Sequence, residues 1–218
     1  MASPASSQAN NQSVERAVAL LRALAATHGD QRASDLAKST GLGLSTATRL
    51  LATLESLDLI DRDEASGMYR FGPLALAIGG AAANQSQVYA EARMTVQNLA
   101  ARLGLGVNVA RREGAHLQYL LNAEGPLAPK SFSLMGQTNP LHATGLGKCL
   151  LLGLTPAQRR ALLPQDTLIP FTEKTIAAHD RLDEEMATVL RQGYAIEAEE
   201  LALGRACVAA PIRDRTGD

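Results

Sequence analysis

Short hydroxyl side chains and one arginine are grouped on one side of a predicted helix that spans residues 44–57. They are Ser45, Thr46, Thr48 and Arg49. Leucines and one alanine recur at helical spacing on the opposite side, so the polar group is predicted to face outward. Hydroxyls and a guanidinium hydrogen bond to phosphates and to base edges, and arginine on guanine is the commonest specific pair. We therefore predict a DNA-contact surface; a helical hairpin buried in some other core is the alternative interpretation.

The elements that must position this surface are a shorter helix before it and a hairpin after it. A helix over residues 34–40 and a turn at Gly41–Gly43 complete a helix-turn-helix, whose second helix normally enters the major groove. A further helix, capped by Ser13 and running to about Ala26, precedes this pair. Two short runs around Ser66-Gly67 predict a hairpin that forms a wing. Three arginines are candidate phosphate contacts, with solvated side chains as the alternative: Arg32, Arg62 and Arg70.

The composition of the 218 residues fits one large or two small folded domains and lacks a strongly basic signature. Hydrophobic residues make up 46% and aromatic residues 3%, so Leu, Val and Ala must supply the core and favour helices. The formal net charge is −1, and residues 1–80 carry seven Lys or Arg against eight Asp or Glu. A near-neutral N-terminal region binds DNA only weakly without sequence preference, so specific binding is expected to depend on a symmetric dimer.

The N-terminus and the cysteines indicate a cytoplasmic protein. Residues 1–12 are small and polar, show no signal-peptide pattern and are predicted to be a disordered tail. No apolar segment is long enough to cross a bilayer, so no membrane partner is expected. Cys149 and Cys207 are far apart and match no metal-binding spacing, which favours unpaired thiols in a reducing compartment. No cofactor is predicted.

The remaining chain predicts an α+β domain with a central antiparallel sheet. Residues 72–87 are rich in small side chains and predict a linker helix that frays near Gly79-Gly80. Helices are predicted at 88–103, at 145–152, at 155–163 with Thr155 as cap, and at 179–192 with Gly193 after it. Strands are predicted at 106–111, 116–122, 131–135, 194–198 and 207–212. The polar turn at residues 214–218 should lead into another strand, so we expect the C-terminus to be truncated.

Residues 144–148 carry two glycines and a lysine at a predicted helix start. Their spacing does not match a Walker A phosphate loop, but free amides at a helix start can hold an anion. We therefore hypothesise that a carboxylate effector sits on the amides of Gly145 and Gly147. Lys148 would add charge, and Arg205 would supply a bidentate partner. Close packing of the two glycines against the sheet is the alternative that these residues leave open.

Other chemistries are disfavoured by the same residues. Cys207, His142 and Glu197 form a candidate catalytic set, but Cys207 lies in an apolar strand, where an inert buried thiol is commoner. The available metal ligands lack the paired short spacing of a structural zinc site, so no metal is predicted. They are His116, His142, Cys149, His179, Cys207 and the carboxylates within 197–200. A small-molecule-binding or protein-interaction module without specific DNA binding is the alternative function.

Two separated sequence signatures resemble IclR-family transcriptional regulators. The first comprises SVERAVALLRAL, DLAKSTGLGLSTATRLLATLESLDLIDRD and YRFGPLALAIG. The second comprises LHATGLGKCLL and RQGYAIEAEELALGRACVAAPI, the latter fitting the pattern E-E-x-x-x-G-x-x-C-x-A-x-P. That pattern is carried by Glu199, Glu200, Gly204, Cys207, Ala209 and Pro211.

The resemblance implies a winged helix-turn-helix domain at 13–75, a linker helix at 76–87 and a GAF-like effector-binding domain at 88–218. Family members are dimers or dimers of dimers, and many bind an organic acid or an aromatic metabolite. Carried over to this sequence, the effector-binding residues are Ala128, Ser131, Gly145, Leu146, Glu197, Arg205 and Cys207. We therefore expect a non-enzymatic, cytoplasmic repressor or activator that binds near-palindromic double-stranded DNA and responds to a small effector.

Overall fold

The computed structural model describes residues 11–127, 133–213, 215 and 217, and its internal contacts divide the chain into two units. Unit 1 comprises Met1–Ser86 and unit 2 comprises Gln87–Asp218. In their described parts, unit 1 contains four helices and a hairpin, and unit 2 contains four helices, a three-stranded sheet and a two-stranded sheet. No helix in these described ranges is both long and apolar enough to span a membrane.

Three helices build the core of unit 1. They are α1 (Gln12–Ala25), α2 (Ala33–Thr40) and α3 (Leu44–Ser56). α1 and α3 bury leucine-rich faces, α2 buries Leu36 and Ala37, and Ile60 and Tyr69 from the hairpin close the core. The predicted helix-turn-helix is confirmed because α2 and α3 are joined by the short turn at residues 41–43.

The ends of these helices differ from the prediction in two respects. The cap predicted at Ser13 is wrong, because Asn11 precedes α1 and its side chain accepts a hydrogen bond from the Ser13 amide at 3.1 Å. Asparagine caps a helix as well as serine does, so the earlier residue sets the start. The apolar side of α3 is buried only in its middle, and Leu44 and Leu57 at its two ends are exposed.

The predicted hairpin is confirmed and is tied to the start of α2. β1 (Ile60–Arg62) pairs antiparallel with β2 (Tyr69–Phe71). The Asp63 side chain closes the turn by accepting hydrogen bonds from the amide and the hydroxyl of Ser66 at 2.8 and 2.7 Å. Gln31 and Tyr69 exchange two backbone hydrogen bonds, so the segment just before α2 forms a bridge beside β2.

The helix α4 (Pro73–Asn84) leaves the hairpin at a fixed point. A side chain on Gly72 would lie 2.5 Å from the Asp58 carbonyl oxygen, so the backbone approach there requires glycine. The helix runs through Gly79-Gly80 without a break, so the predicted fraying is wrong. No residue of α4 is buried in the described structure, and three large apolar side chains are exposed on it: Leu74, Leu76 and Ile78.

Unit 2 begins with a helix packed on a meander of strands. α5 (Gln87–Leu103) lies against β3 (Val107–Glu113) and β4 (His116–Ala123), and these three elements bury Val96, Val109 and Leu121 together. β5 (Thr138–Pro140) pairs with β4. The third strand predicted at 131–135 is displaced, because residues 133–135 are not a strand; residues 131 and 132 lie outside the described residues.

The rest of unit 2 places one short helix against both sheets. The elements are α6 (Gly145–Leu150), α7 (Pro156–Leu162), α8 (His179–Gln192), β6 (Ala195–Ala198) and β7 (Ala206–Ala209). α6 contacts β3 and β4 as well as the antiparallel pair of β6 and β7. Within the described residues the two sheets are not hydrogen-bonded to each other, so the predicted central antiparallel sheet is present as two parts. The caps predicted at Thr155 and Gly193 are confirmed.

Candidate functional site

The outward surface of α3 carries the polar group that the sequence predicts to contact DNA. Ser45, Thr48 and Arg49 are exposed, and Thr46 is half-buried. The opposite side of the helix is held in the core by Ala47 and three leucines, which fixes the direction in which the polar side chains point. Arg49 forms no ion pair with any residue that the structure describes. Its guanidinium therefore remains available for a ligand.

The first turn of α3 suits an anion. Gly43 is its N-cap and gives it no side-chain hydrogen bond, and no acidic residue lies in the first turn. Free amides and the helix dipole favour negative charge at a helix start. A DNA phosphate at this position would therefore be bound beside Ser45 and Arg49. Arg32 is also exposed and is the N-cap of α2, next to the Gln31 bridge.

The two arginines of the wing are exposed, but each contacts a neighbouring side chain of unit 1. The Arg62 guanidinium lies 5.8 Å from the centre of the Tyr69 ring. Arg70 lies 3.3 Å from Asp63 and 3.8 Å from Asp30. The hydrogen bonds from Ser66, together with the charge of Arg70, hold the pKa of the Asp63 carboxyl below its usual range. A phosphate contact by Arg70 would therefore replace two exposed ion pairs, which individually contribute little.

In unit 2, four of the residues predicted to bind an effector come together. Glu197 on β6 faces Cys207 on β7 in the strand register, and the Nε of Arg205 lies 3.8 Å from the Glu197 carboxylate. A Cβ added to Gly145 would lie 3.0 Å from the Cys207 sulfur. Leu146 is half-buried and packs on the main core of unit 2. The other two predicted residues, Ala128 and Ser131, lie outside the described residues.

The Glu197 side chain organises the turn that follows β6. Its Oε1 accepts hydrogen bonds from the amides of Glu200 at 2.7 Å and Leu201 at 3.2 Å. Its Oε2 is buried and has no hydrogen-bond partner among the described residues. Burial raises the pKa of the neighbouring Cys207 thiol, and the charge of Glu197 raises it further. This cysteine is therefore an uncharged thiol beside the Glu197 carboxylate.

Lys148 does not serve the anion site that the sequence suggests. Its side chain is 1% exposed, and its Nζ donates to Glu200 at 2.6 Å, to Glu185 at 3.0 Å and to the Ile196 carbonyl at 3.2 Å. All three ammonium hydrogens are thereby used. The expectation that Lys148 adds free charge is wrong, because it is the cation of a buried ion network.

The amide of Gly147 is occupied as well. It donates to the Thr144 hydroxyl at 3.0 Å, as part of the cap of α6. A Cβ at Gly147 would lie 2.2 Å from the Leu141 carbonyl oxygen, so this glycine permits close packing. The proposed role of its amide in anion binding is therefore wrong, and the packing alternative applies to this position.

The loop before α8 hydrogen bonds to the turn that follows β6, a contact that the sequence did not predict. The hydroxyl of Thr172 donates to the Glu199 carbonyl at 2.6 Å, and that of Thr175 donates to the Glu200 carbonyl at 2.6 Å. Lys174 adds an ion pair with Glu199. These contacts join residues more than twenty positions apart, so no local sequence pattern predicts them. The turn at 197–201 is thus held from the α6 side and from this loop.

The remaining candidate chemistry is not assembled in the described structure. The Nε2 of His142 lies 2.9 Å from the Ile169 carbonyl, and burial lowers the pKa of this histidine. No group of three or more His, Cys, Asp or Glu side chains in the described ranges could hold a metal ion. An open groove of about 490 Å³ lies beside Arg160, residues 164–167 and residues 177–180, but it includes none of the predicted effector residues.

Comparison with known proteins matches both units. The family model for the IclR helix-turn-helix domain matches residues 13–64, and the model for the C-terminal domain of the bacterial transcriptional regulator IclR matches residues 80–218. The HTH-type transcriptional regulator XynR of Escherichia coli is 32% identical over 92% of this chain and 80% of its own length. The glycerol operon regulatory protein of Streptomyces coelicolor is 32% identical over 94% of this chain and 80% of its own length. The crystal structure of an IclR transcriptional regulator from Alicyclobacillus acidocaldarius has a TM-score of 0.82 and 26% identity, covering 94% of this chain and 83% of that one.

Proposed function

Because this chain belongs to the IclR family of bacterial transcriptional regulators, we propose that it binds a near-palindromic operator as a homodimer through the outward surface of α3. The chain is a DNA-binding transcriptional regulator with an N-terminal helix-turn-helix domain and a C-terminal ligand-binding domain. The relatives give no support to the alternative of an interaction module without DNA binding.

The observation that carries the DNA contact is the free, outward polar group on α3. Thr46, Thr48 and Arg49 contact base edges or the adjacent phosphates, and Ser45 contacts a phosphate at the open helix start. The exposure of Ser45, Thr48 and Arg49, and the absence of an ion-pair partner for Arg49 in the described structure, support this assignment. Three more arginines are proposed as phosphate contacts that position the head on the duplex: Arg32, Arg62 and Arg70.

Dimerisation is proposed from the exposed apolar side chains of α4. Leu76 is 81% exposed on one side of the helix, and Leu74 and Ile78, four residues apart, are exposed together on the other side. Burying these side chains against a second copy removes apolar surface from water, which favours association. Two heads also double the few cations that face the DNA, and they read half-sites about 34 Å apart, one helical turn of the duplex. A dimer of such dimers is compatible with the same surface.

The effector site is proposed at the cluster of Gly145, Glu197, Arg205 and Cys207. Leu146 lies beside this cluster, and Ala128 and Ser131 are proposed to complete it. A small organic ligand there favours one arrangement of the dimer over another and thereby shifts operator affinity. The linker helix at residues 76–87, most of it in α4, carries the change between the effector-binding domain at 88–218 and the head at 13–75. We place the protein in the bacterial cytoplasm and propose that it catalyses no reaction.

The experiment that tests DNA recognition selects genomic fragments bound by the full chain and then measures variants on the selected operator. Arg49→Ala is expected to weaken specific binding by roughly 1–3 kcal/mol, the cost of losing one bidentate base contact. Arg181→Ala is the matched control, because Arg181 is exposed on α8 and pairs only with Glu184 in the described structure. Equal operator affinity of the Arg49 variant and the control contradicts the assignment.

A further inference from the structure

Two buried carboxylates, one on β6 and one in the turn after it, each leave one oxygen without a hydrogen bond. The Oε2 atoms of Glu197 and Glu200 are buried and have no hydrogen-bond partner within the described residues. Glu197 is 0% exposed, so its oxygen has no contact with bulk water, and a ligand reaches it only when the neighbouring, 35% exposed side chain of Arg205 shifts. A buried charged group that lacks a donor is costly, because it has lost its hydration without a replacement. Each oxygen therefore marks a position where a donor belongs.

The two carboxylates differ in how their charge is compensated. The other oxygen of Glu200 accepts a hydrogen bond from the Lys148 ammonium at 2.6 Å, so its charge is paired inside the protein. The only described cation beside Glu197 is Arg205, and its Nε is 3.8 Å from Oε2, too far for a hydrogen bond. Glu197 is therefore the group that remains able to accept a donor from a ligand.

Arg205 supplies the complementary half of the site. Its side chain is 35% exposed, so it extends from the buried carboxylate toward solvent. Its guanidinium makes no hydrogen bond to the residues that the structure describes, and guanidinium groups bind carboxylates through two parallel hydrogen bonds. A ligand carboxylate at Arg205 would meet the negative charge of Glu197 close by. That repulsion is relieved when the ligand places a donor against Glu197.

We propose that the effector is a small carboxylic acid that carries a hydroxyl or amino donor beside its carboxylate. The carboxylate pairs with Arg205, and the donor hydrogen bonds to Oε2 of Glu197. The short separation between the two protein groups requires the two ligand groups to be near neighbours. This inference rests on the proposed function, which places the effector at this cluster, and it adds the chemical class of ligand that the cluster selects.

The test compares matched small acids on the full chain by isothermal titration calorimetry. In the first series, lactate and alanine carry a donor next to the carboxylate, while pyruvate and propionate carry none. In the second, malate and aspartate are compared with succinate. A hydrogen bond to a charged group predicts that a donor-bearing acid binds roughly tenfold or more tightly than its donor-free partners. Comparing lactate with alanine, and malate with aspartate, shows whether the site prefers a hydroxyl or an amino donor. Equal binding of the partners, or no binding by any donor-bearing acid, overturns the proposal.

The variant Glu197→Gln sharpens the comparison. Its Oε1 still accepts the two turn amides, but an amide donor replaces Oε2. The preference for donor-bearing acids is therefore expected to disappear. Glu184→Gln, a change of the same charge at an exposed position of α8, is the control and should keep the preference. If Glu197→Gln does not fold, as judged by its thermal melt, the comparison of acids on the unmodified protein still decides the question.

Operator binding measured both with and without the acids separates this inference from the proposed function. Failure of the unmodified protein to retain specific DNA contradicts the proposed regulator role. Retention of specific DNA together with equal binding of donor-bearing and donor-free acids contradicts only the ligand class.

Discussion

Replacing Lys148 by methionine tests the interpretation that this residue is the cation of a structural network. Methionine keeps most of the apolar stem but removes three hydrogen bonds and the positive charge between Glu185 and Glu200. Breaking a buried ion pair by removing one partner costs about 3–5 kcal/mol. The Glu185 side chain is 28% exposed and can turn to water, whereas that of Glu200 is 11% exposed. We therefore expect a loss near the lower end, about 3 kcal/mol.

Hydrogen exchange read by mass spectrometry suits this prediction because the chain has two units. Peptides from α6, α8 and β6 should lose protection in Lys148→Met, while peptides from α1 to α3 serve as an internal reference. Burial already raises the pKa of Glu200, and loss of Lys148 raises it further. Protonation then relieves the variant, so its loss of stability should be greater at alkaline than at acidic pH.

The control for this experiment is Arg181→Ala, which breaks an exposed ion pair with Glu184 and should cost at most about 1 kcal/mol. The double variant Lys148→Met, Glu200→Gln should recover at least about 0.5 kcal/mol relative to the sum of the single changes, because the uncompensated charge is gone. A Lys148→Met protein as protected in β6 as the control would refute the buried-network interpretation.

Three further predictions concern other parts of the molecule. Leu76→Glu should shift the protein toward monomer in sedimentation velocity, because it puts a charge at an exposed apolar position of α4. Asn84→Glu, at the polar end of that helix, should not. Burial raises the pKa of Asp183, but hydrogen bonds from Arg159 and Arg160 outweigh it and the net pKa is lowered. The stabilisation from Asp183 is therefore present above the ordinary pKa of 3.8 and lost as the pH falls below it, and Asp183→Asn should flatten this part of the pH-dependence of thermal unfolding. Arg70→Gln should cost the wing little stability, about 0–1 kcal/mol, since both ion pairs of Arg70 are exposed. If Arg70 contacts a phosphate, the same change should also reduce the dependence of operator affinity on salt concentration. An unchanged salt dependence would exclude that contact.

Elements with a strong local signal were predictable from the sequence. The apolar period of residues 44–57 located α3 to within a residue, and the helix at 179–192 was predicted with its observed bounds because a glycine follows it. The third strand of unit 2 was misplaced, because a strand of three residues has too little periodicity to be recognised. The cap of α1 was misassigned because two good capping residues, Asn11 and Ser13, stand close together.

The candidate ligand site was predictable in its members but not in its energetics. Glu197 and Cys207 were identified through the resemblance of their sequence pattern, and the strand register places them face to face. Lys148 looked like a free cation because the sequence around it shows only a glycine-rich helix start. Its partner Glu200 is 52 positions away, so only the folded chain reveals that the Lys148 charge is already paired with a carboxylate. The same holds for Gly147, whose role depends on the Leu141 backbone lying against it.

The close approach of Gly72 to Asp58 fixes the start of α4 to the segment that follows α3. The amides of Gly72 and Leu74 donate to the carbonyls of Leu59 and Asp58, each at 3.0 Å, so the start of α4 is fastened to the residues that directly follow α3. A rotation of α4 about its own axis is therefore passed on to the residues that follow α3. In the dimer that we propose, a rotation of the linker would therefore move Arg49 and change the distance between the two proposed DNA-contact surfaces.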